Sequence, residues 1–325
     1  MGNSMSKSEK LKELQAKEAN KPKLTAKEFK RQWVLVVIAA IYVIYGIAFY
    51  YLPLGGWVMA FQDYKPGKGI FKSKFVGLKQ FKMLFRDKKF LLVLRNTFCM
   101  GLLNLVFSTI LAIVFAILLN EVRHTWFKKS IQTISYLPHF LSWIIVTAIV
   151  GDAVSSTGII NDILMKVGIL DKPYIFLAHK GWFWPMVTIA NLWKETGWNA
   201  IIYLAAITSI DPSLYESASI DGAGRFQKMI YVTLPSIRPT IMVLLLMNIG
   251  NVLNAGFELQ YLLDNDLVRD VSRTIDIYVL DWAMNGSSLN FSLGTAAGIF
   301  KTVVSMVLIF LFNYIAKRKG DERLF

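Results

Sequence analysis

The chain has 325 residues, 54% of them hydrophobic, and a mean hydropathy of +0.45, which excludes an ordinary soluble globular protein. A single cysteine, Cys99, excludes an intrachain disulfide framework and a thiolate metal cluster. The net charge of +14 sits largely in the tails and in the loop after the first apolar run, which suits a membrane surface and not nucleic acid.

Residues 1–32 are lysine-rich, contain Pro22 and lack an apolar core, so they form a basic tail and not a signal peptide. The run at 33–54 is the first membrane span. A basic excursion at 55–90 follows. Within it Leu78, Phe81, Leu84 and Phe85 recur at helical spacing among lysines, which predicts an amphipathic helix lying either in the membrane interface or on the outer face of the bundle. Further spans fall at 97–119, 133–151, 182–210, 241–262 and 291–316, so 33–316 reads as an all-α integral membrane domain of six helices. Residues 317–325 make a second basic tail, and an even number of spans puts both termini on one side. Charge counting leaves that side open, because the excursion is as basic as the loops at 120–132 and 211–240.

Two spans carry polar stripes. In the fourth, Asn191, Lys194, Glu195, Trp198 and Asn199 recur at helical spacing, and in the fifth Asn248, Asn251, Asn254 and Glu258 do the same. Polar groups in hydrocarbon are costly and face a bundle interior or a wet cavity. Amides offer donors and acceptors that match sugar hydroxyls, and Trp193, Trp198 and Tyr261 supply faces for stacking on sugar rings. The competing role for the amides is to bridge helices. Lys301, midway along the sixth span, needs the translocation path or a carboxylate such as Glu258. Gly294-x-x-x-Gly298 suggests a close-packing face.

Between the fourth and fifth spans lies a polar stretch, 211–236. Asp211 is placed to cap a helix, Pro212 suits its first position, and Ser213-x-x-Glu216 has capping-box spacing. Gly222 and Gly224 then end the helix, and Leu234-Pro235 restarts one that enters the next span. Glu216-Ser217-Ala218, three residues, Gly222, nine residues and Val232-x-Leu234-Pro235 resembles the EAA loop of ATP-binding-cassette importer permeases, with Ser217 and Val232 as conservative departures. Ser135-Tyr-Leu-Pro-His-Phe-Leu-Ser-Trp143 and Asn191-Leu-Trp-Lys-Glu-Thr-Gly-Trp198-Asn are similar to the carbohydrate-uptake branch of that family, the permeases for oligosaccharides and polysaccharide fragments.

The resemblance covers residues 30–320 and implies the type I importer permease fold in a bacterial cytoplasmic membrane, with both termini cytoplasmic. It implies that Glu216, Ser217, Ala218, Asp221, Gly222 and Ala223 dock a cytoplasmic ATPase. The implied partners are a second related permease, two ATP-binding subunits that carry ATP and Mg, an extracytoplasmic solute-binding protein, an oligosaccharide and membrane lipid. The chain itself is expected to bind no cofactor and to be no enzyme: no Gly-x-x-x-x-Gly-Lys-Ser/Thr occurs, and His124, His139 and His179 lack zinc-site spacing. The alternatives are a permease of the same superfamily for a non-sugar solute, which for an anion should show converging arginines, and a secondary transporter, which should show an internal repeat.

Overall fold

The computed structural model describes residues 30–285 and 289–318; the tail at 1–29 and most of the tail at 317–325 lie outside the described residues. The chain divides into two compact units, Met1–Gly56 and Trp57–Phe325. In the first, helix α1 (Trp33–Gly46) continues through a π-helical turn, Ile47–Tyr51, into a 3-10 segment that starts at Leu52. Its apolar residues lie on every side, the pattern of a helix set in lipid. The irregular turn precedes Pro53, which has no N–H to give and crowds the carbonyl one turn back.

The second unit opens with a small antiparallel hairpin, β1 (Gln62–Asp63) and β2 (Lys74–Phe75), in which Gln62 pairs with Phe75. Next comes the expected amphipathic helix, α2 (Lys79–Arg86). It buries Gln80 and Leu84, and Phe81 packs beside Ala60, Ala296 and Ile299, so it lies on the bundle and not free in the interface. Helix α3 (Lys88–Glu121) begins on Asp87, whose carboxylate accepts the N–H of Lys89 at 2.9 Å.

The third span is not the single rod expected at 133–151. Helix α4 (Thr125–Tyr136) runs into a 3-10 turn, Leu137–Phe140, and α5 (Trp143–Ala153) leaves at 104°. Pro138 weakens the ladder, Leu141 turns extended, and the Ser142 hydroxyl caps the new helix by accepting the N–H of Ile145 at 3.3 Å. After α6 (Ile159–Lys166), the 29-residue α7 (Lys180–Thr208) packs along α3.

Helix α8 (Pro212–Ile220) occupies the loop, and short turns through Arg225–Ser236 meet α9 (Arg238–Ile249) at 59°. Pro239 sits in the first turn of α9, where its missing N–H costs nothing. The fifth span also departs from expectation. Helix α9 stops at Ile249, and 250–257 run as tight turns in which Asn248 and Asn251 carbonyls accept the N–H groups of Asn251 and Asn254 at 2.9 and 2.8 Å. Helix α10 (Glu258–Leu263) starts only after Gly256, whose φ of 101° no helix contains. Helices α11 (Ile275–Leu280) and α12 (Phe291–Arg318) complete the described chain.

Besides the cluster around Ala60, three apolar clusters hold this unit together. Met100, Phe183, Val187, Ala255 and Leu259 join α3, α7 and α10 at one end, and Ala112, Ala116, Ala200, Tyr203 and Ile237 join α3, α7 and α9 at the other. Leu84, Phe90, Ile275, Tyr278 and Leu293 tie α2 and α3 to α11 and α12. Among the described residues three segments, Trp33–Phe61, Lys88–Glu121 and Phe291–Arg318, are long and apolar enough to cross a membrane, and each of the two bent pairs adds one more if it is counted as a single broken span. Helix α7 has the length of a sixth span but carries a polar face.

Two further expectations are settled by contacts. Lys301 Nζ lies 2.6 and 2.8 Å from the carboxylate oxygens of Asp276, not against Glu258. A Cβ at Gly294 would sit 3.4 Å from the Val279 carbonyl, whereas one at Gly298 would meet nothing within 4 Å, so only the first glycine packs closely within this chain.

Candidate functional site: a polar wall and a capped loop helix

Two adjoining cavities, of about 210 and 230 Å³, share Asn104, Asn191, Glu195 and Asn254 in their walls. Helix α7 contributes Asn191, Glu195 and Asn199, spaced four apart and therefore on one face. Helix α3 contributes Asn104, Ser108 and Thr109, the last turn of α9 contributes Asn248, and the turns after it contribute Asn251 and Asn254. Glu258 lines the second cavity together with Phe257 and Gln260.

The turn approaches α3 closely enough that a Cβ at Gly101 would fall 1.7 Å from the Val252 carbonyl oxygen. No side chain fits there. The three asparagines of the expected fifth-span stripe do converge on one cavity, Asn248 from the end of α9 and Asn251 and Asn254 from the turns that follow it. Asn254 Nδ2 donates to Asn251 Oδ1 at 2.9 Å and Asn199 Nδ2 donates to Ser108 Oγ at 3.1 Å. Asn104 Oδ1 and Gln260 Oε1 are buried and accept no hydrogen bond among the described residues. An acceptor left in that state typically costs about 1–3 kcal/mol, so both have reason to accept from a bound hydroxyl.

Lys194 is not a cavity group. It is only 4% exposed, and its Nζ donates to the His139 carbonyl at 2.5 Å, lies 3.2 Å from Glu195 Oε1 and sits 5.1 Å from the centre of the Trp143 ring. Glu195 Oε2 in turn meets His139 Nδ1 at 2.7 Å. The ammonium thus neutralises and fixes the one carboxylate that lines both cavities. Trp198 is 42% exposed, but one face is covered by the His139 ring, stacked 4.4 Å away at an interplanar angle of 3°. Tyr261 stacks on Phe257 at 5.3 Å.

Trp193 lies elsewhere. It lines a separate apolar cavity of about 380 Å³ with Ile149, Val150, Phe176 and Met186. Helical geometry explains the error, since two residues along a helix turn a side chain by roughly 200°, away from the face of Asn191 and Glu195. The sequence reading missed Asn104 and Ser108, because α3 reads as an unbroken apolar run in which they stand isolated. It also missed the role of His139, although Pro138 marked the break that presents it.

The loop helix is built from local contacts. Asp211 Oδ1 accepts the N–H of Ser213 at 2.9 Å, which holds the Asp211 carboxyl below the usual carboxylate range. Asp211 therefore caps α8, and Ser213, already inside the helix, does not form the expected box with Glu216. At the other end the N–H of Ala223 reaches the Ala218 carbonyl at 2.9 Å and the N–H of Gly222 reaches that of Ser219 at 3.1 Å, with Gly222 at φ 79°. This is a Schellman stop, which needs a left-handed residue at the position Gly222 holds. Tyr215 Oη to Thr233 Oγ1 at 2.9 Å and Lys228 Nζ to Ser219 Oγ at 2.6 Å brace the helix from behind, and Arg225 Nε lies 3.5 Å from Glu121 Oε2 at the end of α3. Glu216, Ser217 and Asp221 stay exposed, as does Ile220 at 87%.

A bent membrane bundle with a polar inner wall and an exposed, doubly capped helix between two spans defines a transport permease subunit. Residues 105–321 match the family described as binding-protein-dependent transport system inner membrane component, and the chain belongs to that family. Protein LplB of Bacillus subtilis is 44% identical over 283 residues, spanning 87% of this chain and 88% of that protein. The polygalacturonan/rhamnogalacturonan transport system permease protein YteP of the same organism is 43% identical over 283 residues, spanning 87% of each. Among solved structures, a chain of a bacterial alginate ABC transporter, in complex with an alginate pentasaccharide-bound periplasmic protein, superposes with a TM-score of 0.82 at 37% identity, covering 92% of this chain and 99% of that one.

Proposed function

We propose that this chain is one of two permease subunits in an ATP-driven importer of oligosaccharides, and that its amide wall forms half of the translocation path. The observation that carries the reading is the convergence of Asn104, Asn191, Asn199, Asn248, Asn251 and Asn254 on one cavity. Neutral donors and acceptors in such number suit a polyhydroxylated solute, and the walls contain no arginine, the group a site for a small anion needs. The saccharides named for its relatives are polyhydroxylated, as this chemistry requires, but polygalacturonan and alginate also carry carboxylates, which these walls meet with amides and not with arginine.

Helix α8, with Glu216, Ser217, Ala218, Asp221, Gly222 and Ala223, docks in a groove of one ATP-binding subunit, which faces the cytoplasm together with both termini. ATP and Mg bind to those partner subunits, and hydrolysis occurs there. Closure of the ATP-binding pair carries α8 with it. Helix α7 is joined to α8 by three residues, so the movement reaches Asn191 and Glu195 along a rigid rod. A solute-binding protein delivers the sugar from outside, and the cavity opens inward when the pair relaxes. Co-purification with a second permease and two ATP-binding subunits, followed by uptake of labelled oligosaccharide into proteoliposomes, tests this. Uptake should require ATP inside and binding protein outside. Uptake by the chain alone down an ion gradient would contradict it.

A further inference from the structure

The strongest feature the transport reading leaves unused is the basic hairpin. Residues 62–75 hold four lysines against one aspartate, α2 and the start of α3 add five more basic residues, and no lysine of the hairpin pairs with a carboxylate among the described residues. Its position is fixed by α3. That helix has 34 residues, about 51 Å at 1.5 Å per residue, and its far end meets the 211–236 loop through Glu121 and Arg225. The hairpin therefore lies on the membrane face opposite that loop. Loops there are normally poor in Lys and Arg, so the cluster runs against the usual distribution.

The base of the hairpin is rigid. Tyr64 N–H donates to Ser292 Oγ at 2.9 Å on α12, Lys65 N–H to Ser73 Oγ at 3.2 Å, and Gln62 Nε2 to the Ile70 carbonyl at 2.9 Å. Beyond that base, Phe71 is fully exposed and Phe75 is 68% exposed, flanked by exposed Lys65, Lys68, Lys72 and Lys74. A fixed scaffold holding two aromatic rings among four unpaired ammonium groups at the edge of a membrane span matches one environment closely. In the lipid interface, apolar chains lie directly beneath a layer of phosphates.

We infer that this hairpin binds anionic phospholipid headgroups of the leaflet opposite the 211–236 loop, with Phe71 inserted below the phosphates and Lys65, Lys68, Lys72 and Lys74 ringing them. The rings supply depth, and the ammonium groups supply the preference for anionic over zwitterionic lipid. An acidic protein face or an acidic saccharide satisfies the charges but gives Phe71 no apolar layer to enter.

The assembled importer, reconstituted in nanodiscs of pure phosphatidylcholine or of phosphatidylcholine with phosphatidylglycerol, tests the proposal. In a Cys99→Ser background, a polarity-sensitive fluorophore is attached at Phe71→Cys; both the site and its surroundings are exposed, so folding is not at stake. Its emission should shift to the blue in the anionic discs and much less in the neutral ones. The combined Lys65→Gln, Lys68→Gln, Lys72→Gln and Lys74→Gln variant should lose the difference, and the phosphatidylglycerol that co-purifies with the complex should fall by about tenfold or more. Aqueous emission in both discs, an equal shift in both, or a shift that appears only on adding the solute-binding protein or an acidic oligosaccharide would overturn the inference. The last result would assign the surface to whichever of those partners produced it.

Discussion

The polar wall on α7 and the loop helix α8 are joined by three residues of chain, yet they are held in opposite ways. Almost every bond that shapes α8 is local: Asp211 to Ser213, Gly222 to Ser219, Ala223 to Ala218. Its outward side chains Glu216, Ser217 and Asp221 are exposed and meet no side-chain partner among the described residues, which suits the proposed docking role. The wall is the reverse. Asn199 leans on Ser108 of α3, Lys194 on His139, and the turn at 250–257 fits only because Gly101 has no side chain. A site for a small solute is assembled from distant segments, whereas a docking element is a short stretch that keeps its shape by itself.

That contrast predicts its own breaking points. The largest effect should come from Lys194→Met. Removing one partner of a buried ion pair typically costs about 3–5 kcal/mol, and here it also strands the His139 carbonyl and Glu195. The melting temperature of the purified complex should drop clearly, and an unchanged melt would show that the cluster does not hold the wall.

Smaller in stability but larger in function is Gly222→Asp. A non-glycine residue in the left-handed region costs about 1–2 kcal/mol, and a side chain there meets nothing within this chain, so membrane insertion should survive. Substrate-stimulated ATP hydrolysis should be lost. Glu216→Ala, at an exposed position, should uncouple without any change in stability. Normal stimulation in both variants would remove the docking role from α8.

Smaller still is the pair Trp198→Ala and Trp193→Ala. The first uncovers His139 beside the polar cavity and should lower uptake, since an aromatic face is worth about 0.5–1.5 kcal/mol beyond its area. The second enlarges a separate apolar cavity and should alter stability with uptake per complex unchanged. Equal losses of uptake from both would erase the distinction between the two sides of α7.

How much of this was legible beforehand follows the same division. The loop helix could be read almost residue by residue, because its start, its stop and its glycine are set by neighbours within six positions. Of the two overlapping start signals, Asp211 caps the helix as expected, and the Ser213–Glu216 box does not form because Ser213 already lies inside the first turn. The membrane spans were legible as apolar runs, but their breaks were not read: Pro138 signals the one before Leu141, whereas the one at Ile249 lies inside a run that still reads as helical. Among the wall residues, α7 spacing correctly grouped Asn191, Glu195 and Asn199. It could not show that Lys194 turns inward to His139, because His139 comes from 55 residues earlier. The fifth-span asparagines were found for a reason that the structure replaces in part: Asn248 ends α9, but Asn251 and Asn254 join it through turns and not along one helix face.

The central claim is that the amide wall touches the transported sugar. The most direct measurement is oligosaccharide uptake per assembled importer for Asn248→Ala, Asn251→Ala and their combination. Each lost hydrogen bond should cost about 0.5–1.5 kcal/mol, so the single variants should fall severalfold and the double variant further, with assembly and melting temperature kept. Wild-type uptake per complex in the double variant, or a loss that only follows the amount of complex assembled, would contradict the account.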